Sequence, residues 1–154
     1  MGSDQSLCVV RERSLAVVVS GLPSDAHTWS LVYLQLVLEE LGHDVTNMGA
    51  CVPGQELVAR CRAMRPGLIV LSSVNGHGFR DGLRVVASLR ESPELIATPV
   101  VIGGQLDTVG GDPTMASRLL AAGFDRVFSE GAALSEFRSF VAGLTAPAAR
   151  LVGA

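Results

Sequence analysis

The sequence predicts an α/β fold built on a doubly wound parallel sheet of five strands, and three observations support this prediction. Five short segments have the pattern of strands, and three of them, at 15–20, 68–73 and 99–102, are apolar runs without the polar alternation of a half-exposed strand. Each run is followed by a segment with the apolar spacing of an amphipathic helix. Strands and helices that alternate in this way form parallel sheets covered on both faces. Five units of this size favour the flavodoxin-like strand order 2-1-3-4-5, in which ligands bind at the carboxyl ends of the strands.

The first half of the chain supplies two strands and two helices. β-Branched residues dominate the first strand, which predicts burial on both of its faces. The first helix ends before Gly42, because glycine favours the position just beyond a helix C-terminus. The second helix begins at Pro53, since proline suits a first helical turn, and Pro66 terminates it. These four segments span 15–20, 29–41, 44–48 and 53–65.

The second half supplies three further strands and three helices. The third strand ends in two hydroxyl residues, and the fourth ends abruptly at Gly103 and Gly104. A polar, glycine-containing loop before residue 114 leads into the fourth helix, and the closing helix follows the short fifth strand. The strands span 68–73, 99–102 and 123–128, and the helices include 83–89, 114–122 and 134–144.

Length and composition predict one domain with a sizeable core. The chain has 154 residues, of which 48% are apolar and 18% charged. We expect a flexible N-terminal arm at 1–14, the folded domain at 15–144 and a frayed C-terminal tail at 145–154. The first residues lack the apolar core of a signal peptide, and no apolar run reaches the ~18 residues that span a bilayer. We therefore expect a cytoplasmic protein.

The charged residues and cysteines exclude several functions. The net charge of −3 argues against binding nucleic acid by neutralising phosphates. All twelve basic residues are arginine, so the chain has no lysine for a Schiff base or a Walker-type phosphate loop. The three cysteines lack Cys-x-x-Cys spacing, which argues against a zinc ribbon and predicts reduced thiols. We expect Cys51 and Cys61 to be small apolar fillers.

Polar and small residues gather in three loops that the predicted topology brings to one edge of the sheet. Right-handed crossovers place the loops 24–29, 72–75 and 103–107 at the carboxyl ends of their strands. In the first loop, Asp25 and His27 can form a carboxylate and the metal ligand that it orients. The second loop offers serine hydroxyls, and the glycine pair of the third allows a bulky ligand to approach the backbone. Together they predict a site for a large cofactor that contains a metal.

The spacing of these motifs resembles the fingerprint of the cobalamin-binding domain, which is Asp-x-His-x-x-Gly, then Ser-x-Leu, then Gly-Gly. The chain reads Asp25-Ala-His27-Thr-Trp-Ser30, then Ser72-Ser-Val74 after 41 intervening residues, then Gly103-Gly104 after a further 28. The short length and the Gly-Phe-Asp-Arg-Val segment at 123–127 are most similar to the small (sigma) subunits of glutamate mutase, also called methylaspartate mutase. The resemblance covers residues 15–143.

The resemblance implies a role for each motif. His27 would be the lower axial ligand to cobalt, in place of the cofactor's own dimethylbenzimidazole, and Asp25 would hydrogen-bond its other ring nitrogen. Ser72 would bind the displaced benzimidazole in a deep slot, and the glycine pair would let the nucleotide tail pass between sheet and helices. The implied cofactor-binding residues are Ser24, Asp25, Ala26, His27, Thr28, Ser72, Ser73, Val74, Gly103, Gly104, Gln105, Leu106 and Asp107.

The resemblance also implies a function. The family's small subunit binds adenosylcobalamin for a radical rearrangement of the carbon skeleton between glutamate and 3-methylaspartate. The substrate pocket lies on a separate large subunit with a barrel fold, and the two kinds of subunit form a heterotetramer. This chain would therefore be an isomerase subunit that is inactive alone and carries no catalytic residue. No nucleic-acid or membrane partner is implied.

Two positions of the motifs depart from the family pattern. Ser30 stands where the family has glycine, and Val74 stands where it has leucine. A serine is harmless at position 30 if it adopts helical backbone angles at the start of the first helix. We interpret Trp29 as an apolar staple of that helix rather than as a contact to cofactor or partner. The other two histidines, His43 and His77, are expected to be a structural residue and a surface loop residue.

One other function remains an alternative at this stage, and a second is excluded. A corrinoid carrier for methyl transfer has a similar domain, but such carriers usually have a helical cap domain before it, and only about fourteen residues precede the first strand here. A receiver domain of a response regulator has the same fold. It needs an acidic pair after the first strand, an aspartate after the third and a lysine after the fifth, and this chain has Ser20-Gly21, Ser72-Ser73 and no lysine.

Overall fold

The computed structural model describes residues 14–73, 77–104, 114–128 and 133–145. Five strands and five α-helices alternate along these residues, with one short 3-10 helix before the fourth strand. In chain order they are β1 (Ala16–Gly21), α1 (Trp29–Glu40), β2 (Asp44–Asn47), α2 (Gly54–Met64), β3 (Leu68–Ser73), α3 (Gly78–Glu91), the 3-10 helix (Pro93–Leu95), β4 (Val100–Gly104), α4 (Met115–Ala122), β5 (Arg126–Phe128) and α5 (Ala133–Thr145).

The strands form one parallel sheet in the order β2-β1-β3-β4-β5, which confirms the predicted topology. Successive side chains of the central strands pack on opposite faces. One face is covered by α2, α3 and α4, and the other by α1 and α5. The three central strands are buried on both faces, as their continuous apolar sequences predicted.

Several element boundaries follow the predicted signals. Gly42 comes after α1 with a φ of +92°, a backbone conformation that glycine adopts without strain. Pro53 is the N-cap residue of α2, and this helix ends at Met64, with Arg65 as its C-cap in the left-handed conformation directly before Pro66. The fourth strand was predicted to end at residue 102, and it continues through Gly103 and Gly104. The backbone of this glycine pair therefore belongs to the sheet.

His43 has the structural role predicted for it. Its side chain is buried, and its Nδ1 atom accepts a hydrogen bond of 3.1 Å from the backbone N–H of Leu15. This bond ties the turn after α1 to the residue before β1. Among the described residues, no helix is both long enough and apolar enough to cross a membrane. The predicted arm at 1–14 and the predicted tail at 145–154 lie outside the described residues except for Ser14 and Thr145, and Thr145 is the last residue of α5.

The register of the sheet places three predicted motifs side by side. Gly21 of β1 pairs with Ser72 of β3, and Ser72 in turn pairs with Gly103 of β4. Ser73 pairs with Gly104 at the end of the same two strands. The hydroxyl residue Ser72 is thus flanked on both sides by residues without side chains, at the carboxyl edge of the sheet.

Candidate functional site

The loop after β1 holds Asp25 in a fixed position. Its backbone N–H donates to the carbonyl of Leu22 at 3.0 Å, and its own carbonyl accepts from the N–H of Cys51 at 2.9 Å. The end of β1 also packs closely against the backbone at Ala50, because a Cβ added to Gly21 would lie 3.1 Å from the Cα of Ala50. Asp25 is 1% exposed, so its carboxylate is placed by the protein rather than by solvent.

The buried carboxylate of Asp25 fixes the imidazole of His27. Its Oδ1 atom lies 2.8 Å from Nδ1 of His27 and also accepts the backbone N–H of His27 at 3.0 Å. A proton on Nδ1 satisfies this geometry, which leaves Nε2 of the neutral ring with its lone pair. The His27 side chain is 57% exposed, whereas that of Asp25 is 2% exposed. The pair therefore presents an oriented nitrogen ligand at the surface.

The same loop is anchored to the start of α3. The backbone N–H of Ser24 donates to Oδ2 of Asp81 at 3.2 Å, and the Ser24 hydroxyl bonds the same oxygen. Ala26 and Thr28 are exposed, and Thr28 occupies the N-cap position of α1 without a side-chain hydrogen bond to the helix. All five predicted residues of the loop thus lie at the carboxyl edge of the sheet.

Ser72 and Ser73 point to opposite faces of the sheet. Ser72 follows the alternation of Leu68 and Val70, which face α1 and α5. Its hydroxyl donates to Oγ of Ser30 at 3.1 Å. Ser73 is fully buried, and because side chains alternate along a strand it faces the same side as Ile69 and Leu71, which pack against α2, α3 and α4. Ser30 itself lies within α1 with helical backbone angles, so its replacement of glycine strains nothing in the backbone.

A cavity of about 210 Å³ opens beside Ser72, between the sheet, α1 and α5. An apolar cavity of ~150 Å³ holds a benzene ring, so this one has room for a larger, fused aromatic ring. Its walls are mainly aliphatic and aromatic, with two serines and one tyrosine among the side chains. The lining residues are Ser30, Tyr33, Leu34, Val70, Leu71, Ser72, Val101, Gly103, Gly104, Phe128, Leu134 and Phe137.

The glycine pair at the end of β4 is required by close backbone contact. Gly104 has a φ of +103°, and a Cβ on it would lie 1.9 Å from the carbonyl oxygen of Ser73. A Cβ on Gly103 would lie 3.2 Å from the carbonyl oxygen of Phe128, which a small shift can relieve. Both glycines line the cavity.

Comparison with known proteins shows the family of this chain. The B12-binding domain family matches residues 15–138, which is most of the chain. The chain belongs to the B12-binding domain family. The glutamate mutase sigma subunit of Halobacterium salinarum is 31% identical over 114 residues, 73% of this chain and 75% of the relative. That of Fusobacterium nucleatum is 27% identical over 123 residues, 78% of this chain and 88% of the relative.

Solved structures support the fold but do not separate its functions. A cobalamin-binding protein from Desulfitobacterium hafniense has a TM-score of 0.67 at 22% identity, covering 84% of this chain and 60% of that one. A chemotaxis response regulator of Vibrio cholerae has a TM-score of 0.61 at 16% identity, covering 85% of this chain and 99% of that one. Because both classes share the fold, the family assignment depends on the sequence match and on the residues of the site.

The residues of this B12-binding domain fit the group that the family binds. Nε2 of His27 is a neutral nitrogen donor of the kind that cobalt accepts, and Asp25 fixes its orientation. The cavity is apolar, lies on the α1 and α5 side of the sheet, and begins at the same edge as the His27 loop. Among the described residues, no group of three or more His, Cys, Asp or Glu side chains is placed to hold a metal ion.

Some predicted site residues cannot be placed, and some residues of the site were not predicted. Val74, Gln105, Leu106 and Asp107 lie outside the described residues. The apolar walls of the cavity, such as Leu34, Phe128 and Phe137, lie in segments predicted as helices or a strand, and none of the three was predicted to belong to the site. Their spacing predicts burial, but it does not reveal that they stop short of filling the space beside Ser72.

The structure corrects the interpretation of Trp29. It was expected to pack as a staple of α1, but it is 85% exposed. It begins a row of exposed apolar side chains along one side of that helix, at the spacing i, i+3, i+4 and i+7, and one member of the row, Tyr33, also lines the cavity. We call this row the α1 stripe; it consists of Trp29, Val32, Tyr33 and Leu36.

The two described cysteines differ in their surroundings. Cys61 is fully buried in the core, as predicted, and burial raises the pKa of its thiol to about 11. Cys51 was also expected to fill the core, but it is exposed and adopts a φ of +51°. A backbone hydrogen bond fixes the position of Cys51, because its N–H donates to the carbonyl of Asp25 at 2.9 Å.

Proposed function

We propose that this chain is the cofactor-binding small subunit of an adenosylcobalamin-dependent mutase of the glutamate/methylaspartate type. The observation that carries the proposal is the oriented Asp25–His27 pair at the same sheet edge as an apolar cavity with a hydroxyl pair. The named relatives are glutamate mutase sigma subunits, which supports the same assignment. We place this activity in the cytoplasm, where thiols such as that of Cys61 stay reduced.

In this proposal each part of the site binds a different part of the cofactor. His27 would supply Nε2 as a nitrogen ligand to the cobalt, and Asp25 would hold the ring through Nδ1. The cavity takes the displaced lower base, which Ser72 hydrogen-bonds, and the glycine pair leaves space for the nucleotide tail. When bound, adenosylcobalamin supplies a cobalt–carbon bond whose homolysis starts the radical rearrangement. Ser24, Ala26, Thr28, Ser73, Val74 and residues 105–107 complete the proposed contacts.

We further propose that a large subunit with a barrel fold supplies the substrate pocket, and that the two kinds of subunit form a heterotetramer. The α1 stripe is the surface proposed for this contact. A stripe of four exposed apolar side chains is uncommon on a helix that faces only water. It begins two residues from His27, where a subunit that reaches the cofactor must also pass.

The α1 stripe predicts which substitution breaks the assembly. Leu36→Arg is expected to weaken copurification with the large subunit at least about tenfold, because it places a charge within an apolar contact. Ile96→Arg is the matched control, since Ile96 is 65% exposed and lies after α3, away from the stripe. Equal copurification of the two variants would contradict the assignment of this surface.

The function is tested by reconstitution. The chain is mixed with adenosylcobalamin and the large subunit that accompanies the Fusobacterium nucleatum relative, and formation of 3-methylaspartate from glutamate is measured. We expect turnover only when both subunits are present, and none with His27→Ala. Cobalamin binding that depends on His27, together with methyl transfer to a methyltransferase partner and no rearrangement, would instead show a corrinoid carrier.

A further inference from the structure

We propose that Ser30 is a specificity-determining residue for the lower base of the cofactor. It acts with Ser72 as a hydroxyl pair that selects a base carrying an unprotonated ring nitrogen. This inference rests on the binding mode proposed above, and it concerns a position at which this chain departs from the glycine of the family pattern.

The two hydroxyls form the polar part of one wall of the cavity. Ser30, in the first turn of α1, accepts a hydrogen bond of 3.1 Å from Ser72 at the end of β3. Ser72 is 5% exposed, and its neighbours across the sheet, Gly21 and Gly103, have no side chains. The Ser72 hydroxyl therefore has Ser30 as its side-chain partner, and the rest of this wall is apolar apart from Tyr33.

Counting protons shows what the pair offers to a ligand. Two hydroxyl groups carry two protons, and the bond between them uses one. The second proton is available to an acceptor in the cavity, and either serine can supply it because hydroxyl groups rotate. If Ser72 donates to a ring nitrogen, Ser30 can donate to Ser72 in turn, and hydrogen bonds linked in this way strengthen one another.

Without Ser30, this arrangement loses its second member. Ser72 could still donate to a ring nitrogen, but the lone pairs of its oxygen would face the apolar wall. A base without an acceptor nitrogen, such as a phenol, gains nothing from the pair. The hydroxyl of Ser30 therefore favours nitrogen-containing lower bases over phenolic ones, whereas a glycine at this position would discriminate less.

The test compares three corrinoids with four proteins. The ligands are hydroxocobalamin, a cobamide with a phenolic lower base, and cobinamide, which has no lower base. The proteins are the wild type, Ser30→Ala, Ser30→Gly and Ser30→Thr. Dissociation constants come from the absorbance change and from quenching of Trp29, the only tryptophan of the chain. Comparing variant with wild type for each ligand removes the intrinsic differences among the ligands.

We expect Ser30→Ala and Ser30→Gly to weaken hydroxocobalamin binding about three- to tenfold, the usual worth of one hydrogen bond. Binding of the phenolic cobamide and of cobinamide should not change, and Ser30→Thr should retain the wild-type preference because it keeps the hydroxyl. Urea unfolding of each variant checks that the fold is retained.

Three results would overturn the inference: an equal loss for all three ligands, no loss for hydroxocobalamin, or tighter hydroxocobalamin binding by Ser30→Gly, which would mean that Ser30 only narrows the cavity. Failure of the proposed function is distinguishable. In that case the wild type itself would show no spectral change that His27→Ala abolishes.

Discussion

Gly104→Ala is expected to lower the free energy of unfolding by about 2–6 kcal/mol, the sum of backbone strain and overpacking. The φ of +103° at Gly104 is one that alanine rarely adopts. The added Cβ would also meet the carbonyl oxygen of Ser73, which is part of the β3–β4 pairing and cannot move as a flexible side chain would. Urea unfolding without cofactor measures this effect, since native domains are stable by only about 5–15 kcal/mol.

Two other glycine-to-alanine substitutions serve as controls for Gly104→Ala. Gly143 lies exposed within α5, and a Cβ added to it would meet no other atom within 4 Å. Gly143→Ala should therefore stabilise the protein by up to about 1 kcal/mol. In Gly103→Ala the added Cβ would lie 3.2 Å from the carbonyl oxygen of Phe128, and the φ of Gly103 is not positive. This substitution should therefore lower the free energy of unfolding by less than Gly104→Ala does. Similar losses at all three positions would contradict the backbone argument.

Asp25→Ala is expected to weaken cobalamin binding about 10- to 100-fold, as loss of the partner that orients a metal-ligating histidine usually does. The substitution removes both bonds to His27, at Nδ1 and at the backbone N–H. The imidazole is 57% exposed and would then have no partner within the loop to select its tautomer or its orientation. Absorbance titration with hydroxocobalamin measures the dissociation constant.

Asp25→Asn separates the charge of Asp25 from its hydrogen bonds. The amide oxygen can still accept from His27, so the loss of affinity should be smaller than for Asp25→Ala. Asp44→Asn makes the same chemical change at an exposed position at the start of β2, and it should leave binding unchanged. If Asp25→Ala binds as tightly as the Asp44→Asn control, the orienting role of Asp25 is wrong.

The fold was predictable because its signals are local. Continuous apolar strands, helical spacing and glycine or proline at helix ends are all properties of short segments, and the parallel topology follows from their alternation. The 3-10 helix Pro93–Leu95 was not predicted. Arg90 of α3 donates to the carbonyls of Leu95, Ile96 and Thr98, so the loop that contains this helix is held by tertiary hydrogen bonds that no local pattern reveals.

The site was predictable only in part, for a related reason. Asp25, His27, Ser72 and the glycine pair could be found because they are unusual residues at the ends of strands. The hydrogen bond between Ser30 and Ser72 joins positions 42 residues apart, and it depends on how α1 lies across the sheet. Trp29 was misjudged because an apolar residue at a helix start is usually buried, and sequence alone does not show which face a neighbouring subunit would cover.

The most direct test of the central claim is an electron paramagnetic resonance spectrum of the chain with bound cob(II)alamin. The protein is prepared once with ordinary histidine and once with ¹⁵N-labelled histidine, and the cofactor is unlabelled in both samples. If Nε2 of His27 is the axial ligand, the superhyperfine triplet of the unlabelled sample becomes a doublet in the labelled one, and His27→Ala shows neither protein-derived pattern. A triplet that labelling leaves unchanged would mean that the cofactor's own base still binds cobalt, and it would contradict the account.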